Sequence, residues 1–123
     1  MTQLMETDLD PDPFVQFERW FDAAKAAGIA MPEAMTVATA GLEGEVSARV
    51  SLLKSFDHRG FVFFTNYNSR KAKQIHENPR AALVFWWQSL ERQVRIEGAV
   101  VRTTEEESDA YFATRPRGSQ LGA

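Results

Sequence analysis

Apolar residues recur at helical spacing in one stretch near the N-terminus of the chain. They lie three or four positions apart and would share one helix face: Phe14, Phe17, Phe21 and Ala24. Asp12 followed by Pro13 is typical of an N-cap with proline at the first helical position. Gly28 is suited to end the helix. The pattern therefore predicts an amphipathic helix over residues 12–27, packed on the rest of the domain.

From residue 35 onward the apolar positions occur in short runs or alternate with polar ones, which is typical of strands. Five strands are predicted, over residues 35–40, 45–54, 61–66, 81–88 and 93–102. Sequential antiparallel strands with short turns predict a small β-barrel or a strongly curled sheet. Helices would cover its ends.

Two further helices are predicted from capping signals. Asn68 or Ser69 can cap a helix that runs to about Glu77, where Asn78-Pro79 ends it.

The second capping signal lies near the C-terminus. Thr104 and Glu107 match a capping box, which predicts a short helix that includes Tyr111. Arg115-Pro116 would end this helix, and residues 117–123 are predicted to be irregular.

Length and composition fit one globular domain with a modest core. The chain has 123 residues, of which 44% are hydrophobic and 25% are charged. Residues 1–11 are polar and acidic, and we expect a mobile tail there, followed by a single domain over residues 12–123.

The same composition argues against several classes of function. No apolar run approaches the ~18–20 residues of a membrane span, and the acidic N-terminus lacks signal-peptide features, so a cytoplasmic location is expected. Because the chain has no cysteine, disulfides and thiolate metal sites are excluded. A net charge of −3 and a pI of about 5.4 argue against general nucleic-acid binding.

Against this acidic background, cationic residues cluster around the second and third predicted strands. The cluster consists of Arg49, Lys54, Arg70, Lys71 and Lys73. Arginine offers donors in a fork, lysine offers a point charge, and a helix start offers free backbone N–H groups, so the unit could hold a phosphate. Charge alone favours a simpler interpretation, a solvated basic face that needs no ligand.

Strand geometry adds a constraint. Arg49 and Lys54 are five positions apart, so a regular strand would direct them to opposite faces. Either a bulge intervenes, or the two side chains meet different parts of one ligand, or they meet different ligands.

Other candidate residues are weaker when they are considered singly. Gln93 has an amide that suits a heteroaromatic ring edge, although an ordinary polar residue at a strand end is the simpler interpretation. Tyr111 and Arg115 are four positions apart and would share a helix face, with Ser119 nearby.

Trp86 and Trp87 are more typical of core or dimer contacts than of a stacking platform. His58 and His76 lack metal-ligand spacing and are expected at the surface, so no metal site is predicted.

Six motifs occur in the order and spacing of a known family. They are Phe17-Glu18-Arg19-Trp20, Arg49-Val50-Ser51-Leu52-Leu53-Lys54, Phe64-Thr65-Asn66 with Ser69-Arg70-Lys71, Asn78-Pro79-Arg80, Leu90-Glu91-Arg92-Gln93-Val94, and Tyr111-Phe112 with Arg115-Pro116-Arg117 and Ser119-Gln120. Each motif alone is modest, but together they closely resemble the pyridoxamine 5′-phosphate oxidase family. The resemblance covers nearly the whole chain after the acidic tail.

This resemblance implies a mainly β fold with flanking helices, an antiparallel FMN-binding split β-barrel that holds FMN at a homodimer interface. It implies FMN contacts from four parts of the chain: Arg49, Val50, Ser51, Leu52, Leu53, Lys54, Phe64, Thr65, Arg70, Lys71 and Gln93. It also implies that the substrate phosphate is held by Lys54, Tyr111, Arg115 and Ser119. On this basis Arg49 and Lys54 need not serve the same phosphate.

The implied reaction is oxidation of pyridoxamine or pyridoxine 5′-phosphate to pyridoxal 5′-phosphate, with O₂ as acceptor and release of hydrogen peroxide. The flavin carries the redox chemistry, so the resemblance assigns no catalytic side chain. Two alternatives stay open, because one fold can host several functions. They are a non-catalytic module that binds flavin or pyridoxal phosphate, and a relative that acts on a different substrate.

The family pattern continues beyond Ala123, with further barrel strands and additional FMN and substrate contacts. We therefore expect this chain to correspond to an N-terminal portion of that pattern, as a fragment, a truncated product or a naturally short relative. A barrel that lacks strands would have unpaired edges and exposed apolar surface, part of which a dimer would cover.

Overall fold

A computed structural model describes residues 9–64, 70–102 and 110–122, with the backbone alone at residues 64, 70–72, 102 and 110–122. In chain order, the elements are α1 (Pro13–Ala26), β1 (Ala34–Ala40), β2 (Val46–Asp57), β3 (Gly60–Phe64), α2 (Arg70–Glu77), β4 (Arg80–Trp87), β5 (Arg92–Arg102) and β6 (Ala110–Gly122). A short 3-10 helix, Gln88–Leu90, joins β4 to β5. Residues 1–8 of the predicted tail lie outside the described residues.

Helix α1 begins and ends as the sequence predicts. The Asp12 side chain accepts a hydrogen bond from the Phe14 N–H at 2.9 Å, and Gly28 takes a positive φ of 74° just after the helix. Five residues form the buried face of this helix: Gln16, Phe17, Trp20, Phe21 and Ala24. The predicted amphipathic helix is therefore confirmed.

Within the described ranges, six antiparallel strands close into a barrel in the order β1-β2-β3-β6-β5-β4. Strand β1 pairs with β2 and β4, and β6 pairs with β3 and β5. The predicted antiparallel barrel is confirmed. Each described strand has two neighbours in this order, in contrast to the unpaired edges expected of a barrel that lacks strands, because β6 fills the position between β3 and β5.

Strand β6 is the largest departure from the sequence prediction. The predicted helix around Tyr111 is wrong, and so is the irregular structure predicted for residues 117–122, because residues 110–122 form one strand. The last residue of the predicted irregular segment, residue 123, lies outside the described residues. Pairing with two neighbouring strands outweighs a local capping signal. Pro116 lies opposite Gly98 at a shift of register, where a strand tolerates a residue without an N–H. The capping box itself lies within residues 103–109, outside the described part of the chain.

The turn between β2 and β3 is shorter than predicted. Strand β2 continues to Asp57 and β3 begins at Gly60. Phe56 pairs with Phe61 across this hairpin, and the rings of both contact Phe17 of α1. Shared packing against one buried aromatic side chain therefore extends the two strands toward the turn.

The hydrophobic core fills the barrel beneath α1. The Phe17 ring centroid lies 5.1 Å from that of Phe85 and 5.9 Å from that of Trp87. The Trp87 indole N–H donates to the Pro32 carbonyl at 3.0 Å, so its polar atom is satisfied. Trp86 points the opposite way and is 56% exposed. No helix in the described ranges is long and apolar enough to span a membrane.

Candidate functional site

Alternation along β2 divides its predicted cofactor contacts between two faces. Arg49 pairs with Val37, whose side chain is fully buried, so Arg49 leaves the strand on the inward face although its own side chain is exposed. Val50 and Leu52 face outward and are exposed. The side chain of Leu53 is buried in the core. Ligand contact by side chains is therefore open to Arg49, Val50 and Leu52, while Leu53 packs inside.

A β-bulge separates the two cationic ends of β2. The register with β3 shifts between Leu53 and Ser55, which makes Lys54 the extra residue. Before the bulge the inward residues have odd numbers, and after it the half-buried Phe56 faces the core. A bulge was one of the three alternatives that the sequence left open. Because the bulge interrupts the alternation of side chains, the spacing of five residues no longer places Arg49 and Lys54 on opposite faces.

Helix α2 carries Arg70 and Lys71 in its first turn and is anchored one turn later. Gln74 and Ile75 are both buried, the isoleucine in the hydrophobic core. The buried face therefore fixes the helix against the barrel, close to β1 and β2.

A buried polar cluster makes the contact between α2 and the β1–β2 hairpin. The hydroxyls of Thr39 and Ser47 each donate to Gln74 Oε1 at 2.7 Å. Gln74 Nε2 donates to the Glu45 carbonyl at 3.3 Å. Sequence reasoning missed this cluster. Its signal was present, because Thr39 and Ser47 are polar residues in phase with the inward positions of their strands.

Some predicted contacts fall where the structure describes little or nothing. Thr65 and the predicted helix cap, Asn68 or Ser69, lie outside the described residues. Phe64 ends β3 and is described by its backbone only. Their assignment stays a prediction.

Gln93 lies on the outer face of the barrel beside an apolar surface. It pairs with Trp86 across β4 and β5, and both side chains are exposed. Exposed apolar side chains on the outward positions of β2 and β4 form what we call the outer apolar face: Val46, Val50, Leu52 and Trp86. A polar amide thus lies at the margin of an uncovered apolar surface.

Three of the four predicted substrate contacts lie on β6. Tyr111 and Arg115 do not share a helix face as predicted, because four residues of strand separate them by about 13 Å. Lys54 lies on β2, two strands from β6 across β3, a separation of roughly 10 Å. In the sheet order β2-β3-β6, one strand thus separates Lys54 from the strand that carries the other three residues. Ser119 lies further along β6 than Arg115.

The two histidines are exposed, as predicted. His58 Nε2 lies 3.2 Å from Asp12 Oδ2. The hydrogen bond from the Phe14 N–H, with a smaller contribution from His58, holds the pKa of Asp12 below its usual 3.8. Among the described residues, no group of His, Asp or Glu side chains is arranged to hold a metal ion.

A family model and two sequence relatives agree on one family. A family model described as pyridoxamine 5′-phosphate oxidase matches residues 21–123. The pyridoxine/pyridoxamine 5′-phosphate oxidases of Rubrobacter xylanophilus and a Nostoc species are 63% and 59% identical to this chain over 120 residues. Each comparison covers 98% of this chain but only 55% and 56% of the relative, so the chain spans little more than half of their length.

Solved structures give the same picture. PhzG from Burkholderia lata, in complex with tetrahydrophenazine-1-carboxylic acid, superposes with a TM-score of 0.80 at 34% identity, over 88% of this chain and 54% of that chain. A pyridoxamine 5′-phosphate oxidase-related, FMN binding protein from Nostoc punctiforme has a TM-score of 0.63 at 18% identity, over 82% of this chain and 54% of that one. The second likeness concerns the fold alone, and it agrees with the predicted split barrel. From the family match and the identity to these relatives, the chain belongs to the pyridoxamine 5′-phosphate oxidase family.

Proposed function

We propose that this chain binds FMN and forms the cofactor-binding part of an enzyme that oxidises pyridoxamine or pyridoxine 5′-phosphate to pyridoxal 5′-phosphate. The proposal includes O₂ as the electron acceptor, release of hydrogen peroxide and a cytoplasmic location. The observation that carries it is that hydrogen bonds from Thr39 and Ser47 to Gln74 hold α2, which begins with Arg70 and Lys71, against the strand that carries Arg49, in a chain of this family.

The donors on this chain suit the phosphate of FMN. Arg49 is exposed, and none of the ion pairs between described side chains involves it. Arg70 and Lys71 lie in the first turn of α2, where the helix also presents backbone N–H groups. Guanidinium forks, an ammonium group and a helix N-terminus are the donor types that a phosphate dianion accepts from.

The outer face suits the flavin ring. Val50, Leu52 and Trp86 offer exposed apolar surface, and Gln93 offers an amide that donates and accepts at a ring edge. When bound, FMN supplies the acceptor for the hydride equivalent, and the side chains supply position, charge and exclusion of water.

Four residues define the proposed substrate phosphate site: Lys54, Tyr111, Arg115 and Ser119. The bulge makes Lys54 the extra residue of β2, and its side chain is exposed. Family membership alone does not choose the substrate, because the 34% identical PhzG was solved with a phenazine carboxylic acid. A cationic and hydroxyl-bearing set suits an anionic group, and the name of the 63% identical relative makes a phosphate ester the proposed one.

The outer apolar face supports a homodimer with FMN at its interface. Val50 is 70% exposed and Trp86 is 56% exposed, and apolar side chains exposed together on one face are typical of an interaction surface. A second copy of the chain would cover this face, and the flavin would lie at its margin beside Gln93.

The proposal is tested with the purified 123-residue chain. FMN titration should quench flavin fluorescence to saturation, and pyridoxamine 5′-phosphate should then bleach the flavin absorbance under anaerobic conditions. Admission of O₂ should restore the absorbance and release peroxide, and Arg115→Ala should slow the bleaching. Absence of FMN binding would contradict the proposal, whereas FMN binding without bleaching would favour the non-catalytic module.

A further inference from the structure

Gln74 is almost completely buried, yet both the oxygen and the nitrogen of its amide have hydrogen-bond partners. It is 2% exposed, and its partner Thr39 is 4% exposed. Its Oε1 accepts from the hydroxyls of Thr39 and Ser47, and its Nε2 donates to the carbonyl of Glu45. Because that carbonyl can only accept, the orientation of the amide is determined.

Stability alone is a weak explanation for this cluster. Replacement of all partners in a buried hydrogen-bonded set by apolar groups of similar shape is nearly neutral, or even stabilising. Hydrogen bonds add direction, since they require defined distances and angles, whereas apolar contacts tolerate sliding. The cluster therefore has its clearest use in fixing the position of α2.

The cluster connects the two elements that carry the proposed phosphate donors, α2 and β2. Gln74 follows Arg70 by four residues, which is about 6 Å along the helix. Ser47 precedes Arg49 by two residues and shares its strand face, at about 7 Å. One hydrogen bond of 2.7 Å between Gln74 and Ser47 thus links the helix that carries one set of donors to the strand that carries the other.

We propose that Gln74 is a positioning residue for the cofactor phosphate, acting through Thr39 and Ser47. The amide sets the separation between the first turn of α2 and Arg49, so that both can contact one phosphate. This inference rests on the proposed binding of FMN. It predicts that loss of the cluster weakens recognition of the phosphate and leaves recognition of the ring intact.

Riboflavin provides the discriminating probe, because it carries the same ring as FMN and lacks the phosphate. The Gln74→Met/Thr39→Val/Ser47→Ala triple variant replaces the whole cluster by apolar groups of similar shape. We expect its thermal stability to be close to wild type and its affinity for FMN to fall by about tenfold or more, the loss of one charge-assisted hydrogen bond. Its affinity for riboflavin should stay unchanged.

Gln16→Met is the matched control. Gln16 is also buried and accepts a hydrogen bond, from the Asp10 N–H, but it lies on α1. This change should lower thermal stability and leave the ratio of FMN to riboflavin affinity unaltered. Ser47→Ala is a second variant that removes one of the two hydroxyl donors to Gln74 without adding a charge, and it should lower the same ratio by a smaller factor.

The outcomes separate the two proposals. Wild-type protein that binds no flavin would overturn both of them. Wild-type protein that binds FMN more tightly than riboflavin, together with a triple variant that keeps this preference in full, would overturn only the role of Gln74.

Discussion

His58 Nε2 lies 3.2 Å from Asp12 Oδ2, and this contact joins the β2–β3 turn to the N-terminus of α1. The other oxygen of Asp12 accepts from the Phe14 N–H at 2.9 Å, so one carboxylate caps the helix and holds the turn. The Phe14 and His58 rings lie 5.4 Å apart between centroids. The start of α1 is thus fixed to the barrel by both polar and aromatic contacts.

Asp12 should make stability depend on pH in the acid range. Its pKa in the folded chain is lowered, first by the Phe14 N–H and then by His58. A lowered pKa means that the stabilisation is present above the usual value of 3.8 and is lost as pH falls through the folded value. Above pH 3.8 the Tm of wild type should therefore be higher than that of Asp12→Ala, and this difference should disappear as the pH falls below that value. Thermal melts across this range test the sign, and a Tm difference that stays equally large below pH 3.8 would contradict the role of Asp12.

Phe17 should be one of the most costly positions to truncate. Its buried ring contacts Phe61, Phe85 and Trp87, so truncation leaves a cavity between α1 and the barrel. Phe17→Ala should lower the free energy of unfolding by about 3–5 kcal/mol. Urea unfolding measures this loss, and Leu42→Ala, in the exposed β1–β2 loop, should change stability by no more than about 0.5 kcal/mol. Equal losses for both variants would mean that α1 does not pack as described.

The predictable part of the fold was the part with local signals. The N-cap at Asp12, the glycine at position 28 and the alternation in β1 each act within a few residues, so α1 and five strands were predicted. Strand β6 was not, because the capping box near residue 104 is also a local signal, and long-range pairing with β3 and β5 outweighs it.

The candidate site shows the same division. The cationic side chains of Arg49, Arg70 and Lys71 stand out in an acidic chain, but charge alone favoured a solvated basic face, and the family resemblance was needed to assign them to FMN. The bulge at Lys54 could only be offered as one alternative, because register depends on the neighbouring strand. Gln74 was missed because its partner Thr39 is 35 residues away in sequence, so nothing local pairs them.

Loss of the arginine on β2 should weaken FMN binding. If Arg49 donates to the phosphate, Arg49→Ala removes a charge-assisted hydrogen bond worth about 1.5–3 kcal/mol, and affinity falls by about one to two orders of magnitude. Arg49→Lys keeps the charge and loses the guanidinium fork, so its affinity for FMN should lie between those of wild type and Arg49→Ala. Fluorescence titration gives the three affinities. An Arg49→Ala protein that binds FMN as tightly as wild type would remove this residue from the site.

The first turn of α2 should matter more than the rest of that helix. Arg70→Ala/Lys71→Ala should weaken FMN binding, and the residual binding should depend less on salt, because two charges near the phosphate are gone. Lys73→Ala is a control that removes one charge from an exposed position of the same helix, and its loss should be much smaller. A neutral change at His58 should have no comparable effect. Similar losses at all these positions would mean that general charge, rather than a defined site, attracts the cofactor.

A charge on the outer apolar face should prevent dimer formation. Val50 is 70% exposed, and burial of a carboxylate there against a second copy would carry a desolvation penalty without a partner for the charge. Val50→Asp should therefore shift the chain to monomer in sedimentation equilibrium and weaken FMN binding at the same time, since the proposed cofactor site lies at that interface. Leu42→Asp places the same charge on an exposed loop residue and should leave the association state unchanged. A wild-type chain that sediments as a monomer with FMN bound, or a Val50→Asp dimer of unaltered affinity, would contradict the proposed interface.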